Sequence, residues 1–200
     1  MSIALKEAAL TIFTQYGYEG TSLSQIADQV GLKKQSIYAH FKGKDDLFLQ
    51  VVRDAFEIEL ERITALLKDN EEASLEECLY KTLRSYIDSF QSSSHLRFYL
   101  RVSFYPPPHL YAEINGYSTE HVDRISEFWL VRFLQAAEQG ELGELNAETA
   151  NVAFSALVDS ICLELVYGGS DRTERRLEAA WQVYWQGISG SSKSHKEVLR

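Results

Sequence analysis

Residues 33 to 44 contain several side chains that can bind a phosphate group or hydrogen-bond to the edge of a heterocyclic base. Four lysines and one histidine occur in this segment with no acidic residue among them. Lysine attracts phosphate, and the amide of Gln35 is long enough to reach the edge of a nucleic-acid base. Charge alone would favour a solvated lysine patch. Whether this segment binds phosphate therefore depends on the secondary-structure elements that position it.

Two short helices flank a glycine at this point of the chain. Apolar residues recur at helical spacing over residues 23–30, Gly31 ends that stripe, and a second helix is predicted from about 33–40. Ser22 and Gln25 have the spacing of a capping box, which marks the start of the first helix. Two helices joined by such a turn are typical of a helix-turn-helix, whose second helix enters the DNA major groove.

The rest of the sequence also has helical periodicity. Pro106–Pro108 interrupt the pattern because interior prolines remove helical hydrogen bonds. Besides a first helix ending at Tyr16, helices are predicted at about 45–67, 74–92, 95–105, 109–139 with a possible break at Gly116, 147–167 and 172–188. The sequence thus predicts an all-α fold of about nine helices.

Composition excludes several classes of protein. The 200 residues are 45% hydrophobic and 24% charged, which is typical of a globular chain, and two cysteines exclude a disulfide framework or a four-cysteine zinc site. The amino terminus lacks the pattern of a signal peptide, and the nearly uncharged stretch 152–167 is too short to span a bilayer. We expect a cytoplasmic protein with no membrane partner.

Charge divides the chain into two parts. The net charge is −9, yet residues 1–50 contain five lysines and five acids, so the deficit lies in residues 51–200. A neutral first quarter with one basic segment, followed by an acidic remainder, indicates two parts with different partners.

Three motifs stand at fixed spacing within residues 3–50. They are the turn segment GYEGTSLSQIA at 17–27, the sequence YAHF at 38–41 and KDDL at 44–47. Together they resemble the DNA-binding domain of TetR-type transcriptional regulators. This resemblance implies a three-helix helix-turn-helix domain at 1–46 and a larger helical ligand-binding and dimerisation domain at 47–188, and a disordered polar tail is predicted at 189–200.

The resemblance and the helix-turn-helix pattern also predict which residues contact DNA. They are Thr21, Ser22, Lys33, Lys34, Gln35, Ser36, Tyr38, His40 and Lys44. Gln35 departs from the small residue that many relatives have here, so the bases read should differ from theirs. Gly43 replaces a frequent serine cap, a modest change because glycine is tolerated there.

Aromatic residues are about twofold enriched between Tyr86 and Phe133. Such rings can line an apolar pocket for a small molecule, although each ring singly is better explained as core. The predicted pocket residues are Tyr86, Phe90, Tyr99, Phe104, Tyr117, Trp129 and Phe133. They favour an apolar or aromatic effector, while His109 and Glu113 are expected to form a surface pair. No cofactor or metal is predicted.

Two apolar helices near the carboxyl end predict a homodimer. They carry more hydrophobic surface than one 200-residue chain easily covers, so pairing with a second copy would bury it. The predicted interface residues are Phe154, Leu157, Ile161, Leu165, Trp181, Tyr184 and Trp185. Asp159 and Glu164 lie in the same region and could attract a cationic ligand, but we expect them to pair with arginine across the interface or to reach solvent at its rim.

These patterns predict a ligand-responsive dimeric repressor that a small molecule releases from a palindromic operator in double-stranded DNA. The acidic balance motivates an alternative, a helical ligand-binding or interaction module that has lost sequence-specific DNA binding. An enzyme is not favoured, because the sequence contains no nucleophile elbow, phosphate loop or metal cluster at recognisable spacing.

Overall fold

The computed structural model describes residues 1–189, so all but the first residue of the predicted tail at 189–200 lies outside them. These residues form nine α-helices and one 3₁₀ turn, and no strand occurs among them. The elements are α1 (Ser2–Tyr16), α2 (Leu23–Gln29), α3 (Lys34–Ile37), α4 (Lys44–Asp69), α5 (Leu75–Phe90), α6 (Ser94–Phe104), the 3₁₀ turn Pro108–Leu110, α7 (Tyr111–Glu138), α8 (Ala147–Tyr167) and α9 (Ser170–Ile188). The all-α prediction is confirmed, and α7 runs through Gly116 without a break.

The turn between α2 and α3 depends on Gly31. Its φ is +69°, a left-handed conformation that glycine adopts without steric cost. The N–H of Leu32 donates to the carbonyl of Ala27 at 2.9 Å, and the N–H of Gly31 donates to that of Asp28 at 3.1 Å. These two bonds satisfy carbonyls at the end of α2 and turn the chain sharply into α3.

The second helix of the motif is shorter than predicted. The sequence pattern predicted helix over 33–40, whereas α3 comprises Lys34–Ile37 and the next residues form turns. Lys33 precedes the helix without a side-chain cap, and the N–H of His40 donates to the Ile37 carbonyl, three residues back, at 2.9 Å. The missing cap and this tighter bond limit α3 to about one α-helical turn.

The first compact unit comprises Met1–Arg62 and Ser89–His121. It contains α1 to α3, most of α4, all of α6 and the first part of α7, around one continuous apolar core. The predicted domain boundary at residue 46 falls inside α4, which is continuous from Lys44. In this unit the helix-turn-helix therefore shares its core with α6, rather than with α4 alone.

The second unit comprises Ile63–Asp88 and the described residues from Val122 onward. Its helices α8 and α9 are antiparallel, because the Tyr184 hydroxyl donates to the Ala150 carbonyl at 2.9 Å while Glu164 pairs with the start of α9. The buried carboxylate of Glu164 lies 2.6 Å from Nε of Arg172 and 3.0 Å from Nη2 of Arg176. This pairing lies within one chain, which corrects the expectation of partners across an interface or in solvent.

Helix α8 is longer than the apolar stretch considered in the sequence. It has 21 residues, and an 18-residue window within it has a mean hydropathy of 1.5, so length and composition alone would permit it to cross a membrane. The prediction took residues 152–167 alone, and the five residues that precede them in α8 supply the additional length. A core helix of a protein that never enters a membrane passes the same test, and α8 buries one face against its own unit.

Candidate nucleic-acid interface

The second helix of the motif presents its polar side chains outward because one residue anchors it. Ile37 is fully buried, whereas Lys33, Lys34 and Gln35 are exposed and Ser36 is half-buried. Among the described residues, Lys33 and Lys34 form no ion pair, so their charges remain available to a phosphate. The segment thus offers an amide preceded by two cations.

The two aromatic residues after α3 have opposite environments. Phe41 is 2% exposed and belongs to the core, as the sequence indicated. Tyr38 is 54% exposed, so its ring is not a core element, and His40 beside it is also exposed. A hydroxyl and an imidazole on this surface can donate to phosphate oxygens. Their predicted DNA contacts stay predictions.

The start of α2 is fixed by the capping box predicted from the sequence. The hydroxyl of Ser22 accepts from the N–H of Gln25 at 3.2 Å, and the Gln25 side chain accepts from the N–H of Ser22 at 2.7 Å. Both side chains are exposed, and the Ser22 hydroxyl keeps its own hydrogen for a further acceptor.

Thr21 has a structural role in the turn after α1, and its predicted contact with phosphate stays a prediction. It is only 3% exposed, and its hydroxyl donates to the Gly17 carbonyl at 2.7 Å. Its N–H donates to the Tyr18 carbonyl at 3.3 Å. Both polar hydrogens of Thr21 therefore hold the turn between α1 and α2.

A polar cluster missed by the sequence analysis positions Lys44. The Lys44 ammonium lies 4.1 Å from the centroid of the Tyr18 ring, and the Tyr18 hydroxyl donates to Asp45. The imidazole of His109, in the 3₁₀ turn, packs against the same ring and lies 3.6 Å from the Asp45 carboxylate. Because His109 is far from this cluster in sequence, no local pattern indicated the contact.

The environment of Tyr18 keeps its hydroxyl protonated. Burial raises the pKa of Tyr18 well above its usual value, and the hydrogen bond to Asp45 raises it further. The ring therefore stays neutral at physiological pH and carries no charge of its own beneath Lys44. Its face attracts the ammonium as a cation–π partner.

The predicted pocket residues divide between the two units. Phe90, Tyr99, Phe104 and Tyr117 belong to the first, and Tyr86, Trp129 and Phe133 to the second. In the second unit, the rings of Trp129 and Phe133 pack on Phe154 with centroids 5.0 and 6.2 Å apart, as core rings do. The effector pocket stays a prediction.

The predicted dimer residues on α8 are buried within their own chain. Phe154, Leu157, Ile161 and Leu165 lie in the core of their own chain. On α9 the half-buried Trp181 packs against Tyr80 and Trp185, and Tyr184 is hydrogen-bonded to α8. A different face of α8 is exposed, and it carries Val152, Ala156, Asp159, Leu163 and Tyr167.

Within residues 1–189, no group of three or more histidine, cysteine or acidic side chains is arranged to hold a metal ion. His109, considered in the sequence together with Glu113, faces Asp45 instead.

Comparison with known proteins places the motif in a family. Residues 5–51 match the family described as "Bacterial regulatory proteins, tetR family". Over 124 residues the chain is 29% identical to IcaR of Staphylococcus aureus, the HTH-type negative transcriptional regulator of the biofilm operon icaADBC. The match covers 60% of this chain and 65% of IcaR, so the chain spans slightly less than two thirds of that relative.

Solved structures share the fold over nearly the whole chain. The transcriptional regulator FadR of Bacillus subtilis, crystallised with stearoyl-CoA, superposes with a TM-score of 0.70 at 19% identity, covering 95% of this chain and 99% of FadR. A TetR/AcrR-family regulator of Thermobifida fusca gives 0.66 at 19% identity, covering 93% and 97%. The matched domain, the curated relative and the shared fold agree with the resemblance seen in the sequence: residues 5–51 are similar to the amino-terminal domain of the tetR family of bacterial regulatory proteins.

Proposed function

We propose that the protein is a dimeric transcriptional repressor that binds a palindromic operator through α2 and α3 and is released by a small molecule. The observation that carries this proposal is the segment from Lys33 to Lys44, which contains four lysines and no acid. The curated relative is a negative transcriptional regulator, and FadR was crystallised with an acyl-CoA. The effector of this chain is proposed to be apolar or aromatic.

The dimer would use the exposed face of α8. Val152, Leu163 and Tyr167 are large apolar side chains at helical spacing on that face, and Val183 is exposed on α9. Apolar side chains exposed in one chain are covered when two copies pair about a twofold axis. The two DNA-binding domains of such a dimer, about 34 Å apart, would then contact two half-sites that are one turn of DNA apart.

A footprint on DNA flanking the protein's own gene tests the DNA-binding part. We expect protection of a roughly palindromic stretch, and Lys34→Ala should weaken it. Lys68→Ala is the matched control, since Lys68 is exposed at the end of α4. If Lys34→Ala and Lys44→Ala change nothing while a small molecule still binds, the protein is the helical sensing module without DNA that the acidic balance suggested.

Sedimentation of a variant tests the dimer. Val152→Asp places a charge on the exposed face of α8 and should shift the protein toward a monomer, because an unpaired charge is costly to bury. Val131→Asp, at an exposed position of α7, is the matched control. An unchanged dimer in Val152→Asp would show that this face is not the interface.

A further inference from the structure

The first unit contains a cavity between the turn after α1 and the end of α6. Its volume is about 270 Å³, close to the lower end of the roughly 300–1,000 Å³ range of small-molecule sites. Phe13, Tyr18, Phe48 and Phe98 form aromatic walls, and Tyr105 and the three prolines close one side. This is room for a flat molecule of one or two rings. None of the predicted effector-pocket residues lines it.

Arg101 supplies the charge at this cavity. Its Nη1 donates to the Thr14 carbonyl in the last turn of α1 at 3.2 Å, which fixes the guanidinium. Its Nη2 lies over Gly17, 3.2 Å from where a Cβ would stand, so the absence of a side chain leaves room for it. Within residues 1–189, Arg101 forms no ion pair. Donors of a positioned guanidinium are therefore available at the cavity wall.

The aromatic walls and the guanidinium together define a class of ligand. A guanidinium binds a carboxylate through two parallel hydrogen bonds, and aromatic walls pack edge to face on a flat ring. Glu19 also lines the cavity, and both it and Arg101 are exposed to water, which screens their charges; of the two, Arg101 is the side chain that can donate hydrogen bonds to a carboxylate. We propose that this cavity binds a small aromatic carboxylate, with the ring among the tyrosine and phenylalanine side chains and the carboxylate on Arg101.

A ligand in this cavity would contact both the amino-terminal helical segment, residues 1–46, and α6. Phe13 lies in α1 and Tyr18 in the turn that follows it, whereas Phe98 and Arg101 belong to α6. A bound ligand would favour the arrangement of residues 1–46 and α6 that forms the cavity, because a ligand stabilises the conformation that it binds. The effect on DNA depends on the proposed function, but binding itself does not.

Titration calorimetry with 1-naphthoate tests the site directly, without DNA. We expect saturable binding that is about tenfold or more tighter than that of neutral 1-naphthamide, since a hydrogen bond to a charged group is stronger. Arg101→Met should remove this preference for the acid, and Arg175→Met, at an exposed position of α9, should retain it. Equal binding of acid and amide, or tighter binding of 1-naphthylmethylammonium, would overturn the proposal.

Arg101 also hydrogen-bonds to the last turn of α1, so Arg101→Met could lower binding by destabilising the protein. A second variant avoids this problem. Tyr105 is 76% exposed, so Tyr105→Ala removes one wall of the cavity without disturbing the core. It should weaken naphthoate binding, whereas Tyr111→Ala should not. All three tryptophans lie in the second unit, so quenching of their emission in step with the calorimetric binding would locate the ligand there and contradict the proposal.

Discussion

The ammonium of Lys44 lies over the ring of Tyr18, 4.1 Å from its centroid. Tyr18 itself is held by Asp45 and by its contacts with the rings of Phe13 and Phe48. A flexible lysine at the start of α4 is therefore restrained beside the helix-turn-helix. Its charge is positioned before any phosphate arrives, which lowers the entropy lost on binding.

Lys44→Gln should weaken binding to every DNA sequence alike. If Lys44 neutralises one phosphate, the slope of log affinity against log salt should become shallower by about one. Lys68→Gln serves as the control of equal charge. Fluorescence anisotropy with operator and random duplexes over a salt series measures both effects. A loss confined to the operator would mean that Lys44 takes part in base recognition.

Gln35→Ala should alter specificity instead. The exposed amide of Gln35 is the side chain of α3 that can bond bidentately to a base edge. Its removal should reduce discrimination at particular operator positions by about 1–3 kcal/mol and leave the salt slope unchanged. Competition between operator variants with single base changes measures this. If Gln35→Ala and Lys44→Gln changed operator discrimination and the salt slope in the same way, the assignment of Gln35 to bases and Lys44 to phosphate would be wrong.

Local features of the helix-turn-helix could be predicted from the sequence because short segments determine them. The capping box of Ser22 and Gln25 joins residues three positions apart, and the turn at Gly31 depends on one residue's conformational freedom. Both follow from local propensity. The length of α3 was overestimated because the pattern shows which residues face the core but not how tightly the backbone turns after Ile37.

Contacts between distant segments could not be predicted in this way. Arg101 and Thr14 are 87 residues apart, and neither residue type indicates the other. Helix α8 is apolar on several sides, so its periodicity did not reveal that Phe154 faces its own chain while Val152 is exposed. Which apolar face meets the core depends on where the neighbouring helices lie.

Thr21→Val tests the structural role assigned to the buried threonine. The substitution keeps the shape and removes the hydrogen bond to the Gly17 carbonyl, so the free energy of unfolding should fall by about 1 kcal/mol. Urea unfolding at fixed protein concentration measures it, with the exposed Thr119→Val as control. DNA affinity of the folded protein should stay the same. A large loss of affinity without loss of stability would restore Thr21 as a phosphate contact.

Asp46 should make stability depend on pH. Its carboxylate accepts from the N–H of Lys42 at 2.7 Å and from Gln50 at 3.1 Å, and these bonds lower its pKa, the backbone bond most. A lowered pKa in the folded state means that the stabilisation is present above the unfolded value near 3.9 and is lost as pH falls through the folded value.

Asp46→Asn should therefore lower the free energy of unfolding at pH 7 by roughly 0.3–1 kcal/mol, the range for an exposed carboxylate in the first turn of a helix. The difference from the wild type should shrink as pH falls below about 4. Asp123→Asn, an exposed change of equal charge on α7, is the control. Urea unfolding between pH 3 and 7 measures the effect, and a constant difference across this range would contradict the assignment.

Because the carboxylate of Glu164 is buried, we expect substitutions of Glu164 and of its arginine partners to have non-additive effects on the free energy of unfolding. Two arginines of α9, Arg172 and Arg176, compensate its charge. Replacing both by methionine should destabilise the protein by about 3 kcal/mol, because a buried charge loses its partners. Adding Glu164→Gln to that double variant should recover much of the loss. Urea unfolding measures all three proteins, and Arg175→Met is the control. If Glu164→Gln brings no recovery, the arginines stabilise α9 by packing rather than by neutralising the carboxylate.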